Sequence, residues 1–150
     1  LVVAADAGNR IGSTYCSPAV PNTSGVPALM LASGSEFVAQ NDVTLTAYRL
    51  PTSVMAMFLV SRTSSFVLGS GGGIGTLCVG SPIGRIGGAP QGSGPAGRID
   101  HALDLVNVPL PGGQQTVQPG ETWYLQCWYR DSLLGVATSN LSDAVQITFQ

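Results

Sequence analysis

The segment 121–131 has the clearest alternation of apolar and polar side chains in the chain. Successive side chains of a β-strand point to opposite faces, so residues two apart share a face. One face of this segment is apolar and carries Trp123, Leu125, Cys127 and Tyr129. The other face is amphipathic and carries Thr122, Tyr124, Gln126, Trp128 and Arg130. The pattern predicts a long strand, here termed the aromatic strand, whose apolar face belongs to the core.

Other segments of strand character lie along the chain, separated by turns rich in glycine and proline. Residues 43–50 alternate cleanly, and residues 54–61 are almost wholly apolar, as in a central strand covered on both faces. Further strands are predicted at 28–33, 76–79, 83–86, 98–106 and 145–149. No segment shows a convincing 3.6-residue helical period. The sequence therefore predicts an all-β fold, a β-sandwich of about seven to nine mainly antiparallel strands, Ig-like or jelly-roll-like.

The length of 150 residues predicts one domain. We divide the chain into an apolar N-terminal extension, residues 1–14, and a single β-sandwich domain, residues 15–150. The extension begins with Leu1, Val2, Val3, Ala4 and Ala5. Such a segment can add as a strand to an open sheet edge, either within its own molecule or on a neighbouring one.

Charge is sparse along the chain. Charged residues make up 9% of it, against about 25% in ordinary soluble domains. All six basic residues are arginines, and the formal net charge is -2. With so few basic residues, the chain cannot form the basic surface patch that binding to nucleic acid or to an anionic membrane requires. No apolar stretch approaches the ~20 residues of a membrane-spanning helix. Further copies of the chain, another extracellular protein or a polysaccharide are the expected partners.

The three cysteines lie far apart, and the chain has a single histidine, so neither a zinc site nor any other cofactor is predicted. Cys127 lies on the apolar face of the aromatic strand and is expected to be a buried free thiol. Cys16 and Cys78 both lie beside turn-rich sequence, and we predict that they form a disulfide. That bond would stabilise the fold by roughly 4 kcal/mol through loop entropy. It indicates an oxidising compartment, so the protein is expected to be secreted, extracellular or on the cell surface.

Five motifs stand out along the chain: Tyr-Cys-Ser-Pro-Ala-Val-Pro-Asn at 15–22, Leu-Cys-Val-Gly at 77–80, Pro-Gly-Glu-Thr-Trp at 119–123, Trp-Tyr-Arg-Asp at 128–131 and Ser-Asn-Leu-Ser-Asp-Ala-Val-Gln-Ile-Thr-Phe at 139–149. Together they resemble an uncharacterised accessory domain that recurs near the C-termini of large secreted bacterial proteins. The resemblance spans roughly residues 15–149 and leaves the N-terminal extension outside it. It implies an accessory module and carries over no catalytic residues.

The same resemblance bears on the cysteines. Cys16 and Cys78 match the two cysteines of the family, which implies that they pair. Cys127 stands where the family usually has a small residue such as alanine, which fits a buried thiol.

Candidate catalytic residues are few. His101 is the only histidine, and it lies with Ile99 and Leu103 on the apolar face of its predicted strand, so a core or edge position is favoured over a catalytic one. Asp100 and Asp104 share the opposite face and are interpreted as solvated carboxylates, because no calcium-binding loop motif surrounds them. Glutamates are two in number, Glu36 and Glu121, and neither has the setting of a glycosidase acid. The sequence predicts that the protein is not an enzyme.

Tyr124, Trp128 and Arg130 form the candidate contact surface, because they share the outer face of the aromatic strand. Aromatic rings on a sheet can stack on sugars, and they can equally be covered by a second sheet or by a neighbouring subunit. Three functions follow in order of preference. The first is a structural module that self-assembles by strand addition; the second is a carbohydrate-binding or adhesion module; the third is a hydrolase with a polar cleft around His101.

Overall fold

A computed structural model describes residues 9–150 of the chain. Within this range the structure is all-β, as predicted, but it has fourteen strands rather than seven to nine. They are β1 (Arg10–Ile11), β2 (Ser13–Tyr15), β3 (Leu29–Gly34), β4 (Val43–Tyr48), β5 (Met55–Ser61), β6 (Ser64–Leu68), β7 (Thr76–Val79), β8 (Gly84–Arg85), β9 (Gln91–Gly92), β10 (Ile99–Leu103), β11 (Val108–Leu110), β12 (Gly113–Gln115), β13 (Thr122–Leu133) and β14 (Val136–Thr148). Two short 3-10 turns, Val38–Gln40 and Ser70–Gly72, complete the regular structure of the described residues.

Two antiparallel sheets form the sandwich. The smaller sheet has the order β1-β3-β4-β10, and the larger has the order β2-β14-β13-β5-β8, with β9 also paired to β5. The aromatic strand is β13, and it lies between β14 and β5 at the centre of the larger sheet. Its partner β5 is the apolar segment 54–61, so the prediction of a central strand is confirmed.

The main core fills the space between the inner faces of the two sheets. Residues two apart on a strand face the same way, so β13, β4 and β10 each have one apolar face. These faces point inward and pack against one another between the two sheets. The fully buried large side chains of this core include Trp123, Tyr129, Phe58, Phe149, Met30, Leu45, Leu125 and Ile147.

A third layer covers part of the larger sheet on its outer side. The strands β6 and β7 form a separate antiparallel hairpin. A second apolar cluster, formed by Met57, Leu59, Val79 and Leu141, lies between this hairpin and the sheet. The larger sheet is therefore buried on one face and partly buried on the other, which explains the nearly continuous apolar sequence of β5.

The chain changes sheets near the start of the described residues. Strand β1 pairs with β3 of the smaller sheet, and β2 pairs with β14 of the larger one. Gly12 makes the step between them with φ +72°, and a Cβ at this position would lie 2.5 Å from the Gln146 carbonyl oxygen. Only glycine fits that backbone and that space. Residues 10–14, which the sequence grouped with the N-terminal extension, thus pair within the sandwich, whereas residues 1–5 lie outside the described residues.

The structure differs from the predicted strands in several places, β14 among them, which spans Val136–Thr148 rather than 145–149. The strand predicted at 98–106 ends at Leu103, because the chain turns at Asp104 and the buried Leu105 lies in the loop that follows. The hairpin formed by β11 and β12 lies partly within 109–120, a segment predicted to be a connection. Strand β6 was not predicted at all, because its sequence Ser-Ser-Phe-Val-Leu does not alternate. Across residues 9–150, none of the helical segments is long and apolar enough to span a membrane.

Candidate functional site

The aromatic strand places its two faces in different surroundings. On the inner face, Trp123, Leu125, Cys127 and Tyr129 are all buried, which confirms the predicted face. The alternation continues without a break along the pairing with β5. The irregularity lies on the other side, where Ser142 and Asp143 of β14 together stand opposite one residue of β13. A bulge of this kind leaves the face assignment of β13 intact while bending β14.

Gln126 is the exception on the outer face, since it is fully buried although its sequence position predicted an amphipathic surface residue. Its side-chain amide donates hydrogen bonds to the carbonyl oxygens of Thr76 (2.9 Å) and Ser142 (2.8 Å). Its carbonyl oxygen accepts one from the backbone N–H of Cys78 (2.9 Å). The Gln126 side chain thus satisfies backbone groups of β7 that would otherwise pair with a neighbouring strand, and it holds the outer hairpin against the sheet.

Tyr124 has a structural role under the same hairpin. Its ring packs edge-on against Tyr15, with 5.8 Å between the ring centroids. The Tyr15 hydroxyl donates a hydrogen bond to the Cys78 carbonyl oxygen at 2.8 Å. Burial, with Tyr124 nearby, raises the pKa of Tyr15 and keeps its hydroxyl protonated as a donor. Tyr124 is therefore less available to a ligand than its sequence position suggested.

Trp128 lines a depression of the outer face. This depression, here termed the outer groove, has a volume of about 520 Å³ and an apolar lining of Met57, Leu59, Leu77, Ile83, Trp128 and Leu141. The half-buried Trp128 ring has the Arg130 guanidinium carbon 5.0 Å from its centroid. The structure thus brings Trp128 and Arg130 together and leaves Tyr124 packed against Tyr15.

The lining determines what the outer groove can bind. Its walls are mainly aliphatic side chains, methionine and tryptophan, and the polar side chains of the lining are those of Ser70 and Arg85. Sugars need several polar groups that converge on their hydroxyls, whereas apolar side chains need area and shape. The groove is therefore better suited to apolar side chains than to a sugar.

The predicted disulfide between Cys16 and Cys78 is confirmed, with 6.4 Å between the two Cα atoms. It joins the end of β2 to β7 and closes a loop of sequence separation 62. Cys127 is the buried free thiol. Burial raises its pKa, so it stays protonated and unreactive at neutral pH. Among residues 9–150, no three His, Cys, Asp or Glu side chains lie close enough together to hold a metal ion.

His101 lies beside a second, more polar depression of about 340 Å³, which Arg85, Asp104, Asn107 and Gln114 also line. Among the described residues that line this depression there is no serine, threonine or cysteine that a histidine could activate as a nucleophile. Asp104 already accepts hydrogen bonds from Asn107 (3.0 Å) and from the backbone N–H of Val106 (3.0 Å). These bonds, with one from Asn41, lower its pKa, so it remains a carboxylate that shapes the turn.

The other acidic candidates are also engaged in structural contacts. Asp100 accepts hydrogen bonds from Arg98 (2.9 Å) and from the Thr46 hydroxyl (2.7 Å) on the neighbouring strand. Glu121 accepts from Arg62 at 2.8 Å and from the Trp123 indole N–H at 3.2 Å. Both carboxylates therefore stabilise strand positions.

Sequence reasoning missed the exposed apolar side chains of the outer hairpin. In β6 the exposed fractions of Phe66 and Leu68 are 71% and 72%. Within the described part of the chain, β6 pairs with β7 alone. The sequence feature that could have indicated this surface is the run of three apolar residues, Phe66 to Leu68, beside a glycine-rich segment. The same pattern is equally typical of a buried strand.

Comparison of the chain with protein-family models, with curated proteins and with solved structures finds no match. Its candidate function is therefore argued from the geometry of the outer face and of the sheet edges.

Proposed function

We propose that this chain is a non-catalytic extracellular structural module whose copies join by strand addition into a fibre or surface layer. The donor is the apolar segment 1–5 of one copy, and the acceptor is the free edge of β6 on the next. The observation that carries this proposal is that, among residues 9–150, β6 pairs with β7 alone and exposes its apolar side chains.

Free sheet edges in soluble proteins are normally protected by charged residues, prolines, covering loops or short length. Strand β6 has five residues, Ser64–Leu68, and contains neither a charged residue nor a proline. Its Phe66 and Leu68 side chains are mostly exposed, and Val67 between them is 46% exposed. An uncharged apolar edge of this kind favours pairing with another strand, which would cover both its backbone groups and its side chains.

The composition and the cysteines support the extracellular part of the proposal. A disulfide persists in oxidising compartments. Sparse charge lets identical molecules pack closely with little electrostatic repulsion. The resemblance to accessory domains of large secreted bacterial proteins points in the same direction.

Two changes test the proposal from opposite sides of the contact. Deleting residues 1–8 removes the donor and leaves Asn9, whose carbonyl oxygen accepts from the Gly34 N–H, in place. Replacing Phe66 and Leu68 with lysine charges the acceptor edge without touching the core. We expect both variants to fold and to remain monomeric in sedimentation velocity, while the unmodified chain forms fibres in negative-stain electron micrographs.

Val106→Lys provides the matched control, because Val106 is an apolar residue that is 52% exposed and lies outside the β6–β7 hairpin. It should assemble like the unmodified chain. Fibres that persist after the N-terminal deletion would rule out residues 1–8 as donor. Assembly of the lysine variant would rule out β6 as acceptor.

A carbohydrate-binding module is the second candidate, and Trp128 is the observation in its favour. Its ring lies 5.0 Å from the Arg130 guanidinium carbon and lines an open groove that Arg85 also lines. If this function is correct, Trp128→Ala should lose retention on polysaccharide affinity gels that retain the unmodified domain. Phe37→Ala, which removes an exposed ring elsewhere, should leave retention unchanged.

A further inference from the structure

The β13–β14 hairpin ends in an exposed apolar tip. Leu133 and Val136 are the last paired residues, so Leu134 and Gly135 form a two-residue turn. The exposed fractions of Leu133, Leu134 and Val136 are 51%, 96% and 68%. Three aliphatic side chains thus project together into solvent at the end of the longest hairpin of the described chain, here termed the hairpin tip.

The backbone of the turn makes the leucine more unusual. Leu134 has φ +51° and Gly135 has φ +79°. Two-residue hairpin turns with positive φ at both positions favour Asn-Gly or Asp-Gly, because asparagine, aspartate and glycine tolerate the left-handed region. Leucine is unfavourable at this position for two reasons: its side chain disfavours a left-handed backbone, and its apolar surface is almost fully exposed to water. Neither local structure nor solubility accounts for Leu134, whereas an apolar contact with another molecule does.

The hairpin tip is also held in place from the side. The Thr23 backbone N–H donates to the Asp131 carboxylate at 3.0 Å, and the Thr23 hydroxyl donates to the Ser132 carbonyl oxygen at 2.8 Å. The other Asp131 oxygen accepts from the Asn140 side-chain amide at 3.2 Å. The stem of the tip is therefore tied to the loop that follows β2. A tip ordered before binding loses little conformational entropy when it binds.

We propose that the hairpin tip of one copy docks in the outer groove of the next copy, as a second contact within the strand-added assembly on whose self-association this inference rests. The groove of the same molecule is out of reach. Trp128 in the groove and Leu134 at the tip lie six residues apart on one extended hairpin, a distance of about 20 Å at ~3.3 Å per residue. The contact must therefore be made between molecules.

Charge and size match at this contact. Residues 132–138 carry no charged side chain, so the tip enters the groove without placing an unpaired charge against its apolar walls. The groove volume of about 520 Å³ lies in the range of cavities that hold several apolar groups. Arg85, on the groove lining, is exposed and can stay in water while the tip is bound.

The area buried at the tip contact is too small to hold two molecules together without another contact. Each aliphatic side chain buries less than the roughly 150–250 Å² of an aromatic one. Three of them stay below the ~1,200 Å² of a stable interface. The tip contact therefore reinforces strand addition and does not hold two molecules together alone. Because tip and groove are different surfaces, the contact is heterologous, and such a contact either extends into an open array or closes into a ring.

Cross-linking tests the contact directly. Full-length chains carrying Leu134→Cys are mixed with chains carrying Ile83→Cys, since Ile83 lines the groove, and are oxidised briefly. We expect a disulfide-linked dimer that a Leu134→Cys and Val106→Cys mixture does not form. Equal cross-linking in the two mixtures, or none in the first, would overturn the tip contact.

The Leu134→Asn variant provides a second test, in which a loss of assembly cannot be attributed to misfolding. Asparagine suits the left-handed turn, so the variant should unfold at an equal or higher denaturant concentration. We expect the monomer concentration at which assembly begins to rise roughly tenfold, which corresponds to the loss of about 1.4 kcal/mol. An unchanged assembly concentration would contradict the inference. Fibres without the cross-link leave the proposed function standing and reject the tip contact alone, whereas a chain that forms neither fibres nor the cross-link rejects both.

Discussion

Gln126 shows how one buried polar side chain holds a layer of the structure in place. Its amide makes three hydrogen bonds to backbone groups, two of them on β7. Because these backbone groups are at a strand edge covered by protein, they would otherwise lack partners. The residue serves as a short substitute for a neighbouring strand.

Replacing Gln126 with leucine should therefore destabilise the fold, although the volume of the side chain hardly changes. Three backbone groups lose their partner, and each such loss costs about 1–3 kcal/mol when the group stays buried. We expect the free energy of unfolding in urea to fall by about 2–4 kcal/mol. Gln146→Leu, on the exposed side of β14, should change it by less than about 0.5 kcal/mol. A Gln126→Leu variant as stable as its parent would contradict this role.

Asp143 is a buried carboxyl group in the bulge of β14. Burial raises its pKa to about 6, although the Met30 N–H bond, the positive charge of Arg10 and the Ser17 hydroxyl act in the opposite direction. The folded state therefore binds the proton more tightly than the unfolded state, where the pKa is 3.8. The contribution of this group to stability is fully present below pH 3.8 and is lost as the pH rises through about 6.

An Asp143→Asn variant should remove this dependence. Asparagine keeps an oxygen to accept from the Met30 N–H but has no charge to bury. We expect the variant to be the more stable protein at pH 7.5, with the difference vanishing near pH 3.5. The largest slope that one group can add is about 1.4 kcal/mol per pH unit. Urea unfolding between pH 3.5 and 7.5 measures this difference, and Asp42→Asn, an exposed carboxyl, serves as control. A difference that grows toward acid pH would refute the assignment.

At the scale of elements, the outer hairpin depends on contacts from outside its own strands. The disulfide ties β7 to Cys16, Tyr15 donates to the Cys78 carbonyl oxygen, and Gln126 holds the edge. A two-stranded hairpin is marginal in water when it stands alone. These three attachments explain how β6 can remain ordered while its apolar side chains are exposed.

Replacing Cys16 and Cys78 with serine should expose this dependence. The bond closes a loop of sequence separation 62, and its loss should lower the free energy of unfolding by about 4 kcal/mol on loop-entropy grounds. Amide hydrogen exchange should accelerate most in residues 64–79, because the hairpin loses its covalent attachment. Cys127→Ala, which leaves the disulfide intact, should not accelerate exchange selectively there. Uniform acceleration across the sandwich would instead mean that the hairpin and sheets open together.

At the scale of the whole molecule, local patterns predicted the sheets but not their third layer. The alternation in residues 121–131 places side chains on two faces whatever the strand pairs with, so the inner face was predictable. The pairing Cys16–Cys78 was predictable from turn context and resemblance. Strand β6 was not, because exposed apolar residues follow the pattern of buried ones. The burial of Gln126 depends on β7, a strand about 50 residues away in sequence, as the separation to Thr76 shows.

The candidate site was predicted only in part for the same reason. Trp128 was identified, but the outer groove also needs Met57, Leu77 and Ile83, which come from three other segments. These residues come together because of the order of strands in the sheet. That order depends on contacts between residues far apart in sequence, which a local pattern does not reveal. Leu134 was missed because its left-handed backbone cannot be read from leucine in a sequence.

The disulfide also determines how the module responds to tension. When a fibre is pulled through residues on either side of the bond, the segment between Cys16 and Cys78 carries no load, because force passes across the sulfur atoms. An unfolded chain extends by about 3.3–3.6 Å per residue. With a sequence separation of 62, the bond withholds on the order of 200 Å of extension from each module. Single-molecule pulling between residues 9 and 150 should therefore release about 200 Å more chain in reducing than in oxidising buffer. A fibre of such modules would be stiff at large strain while oxidised and would become extensible on reduction.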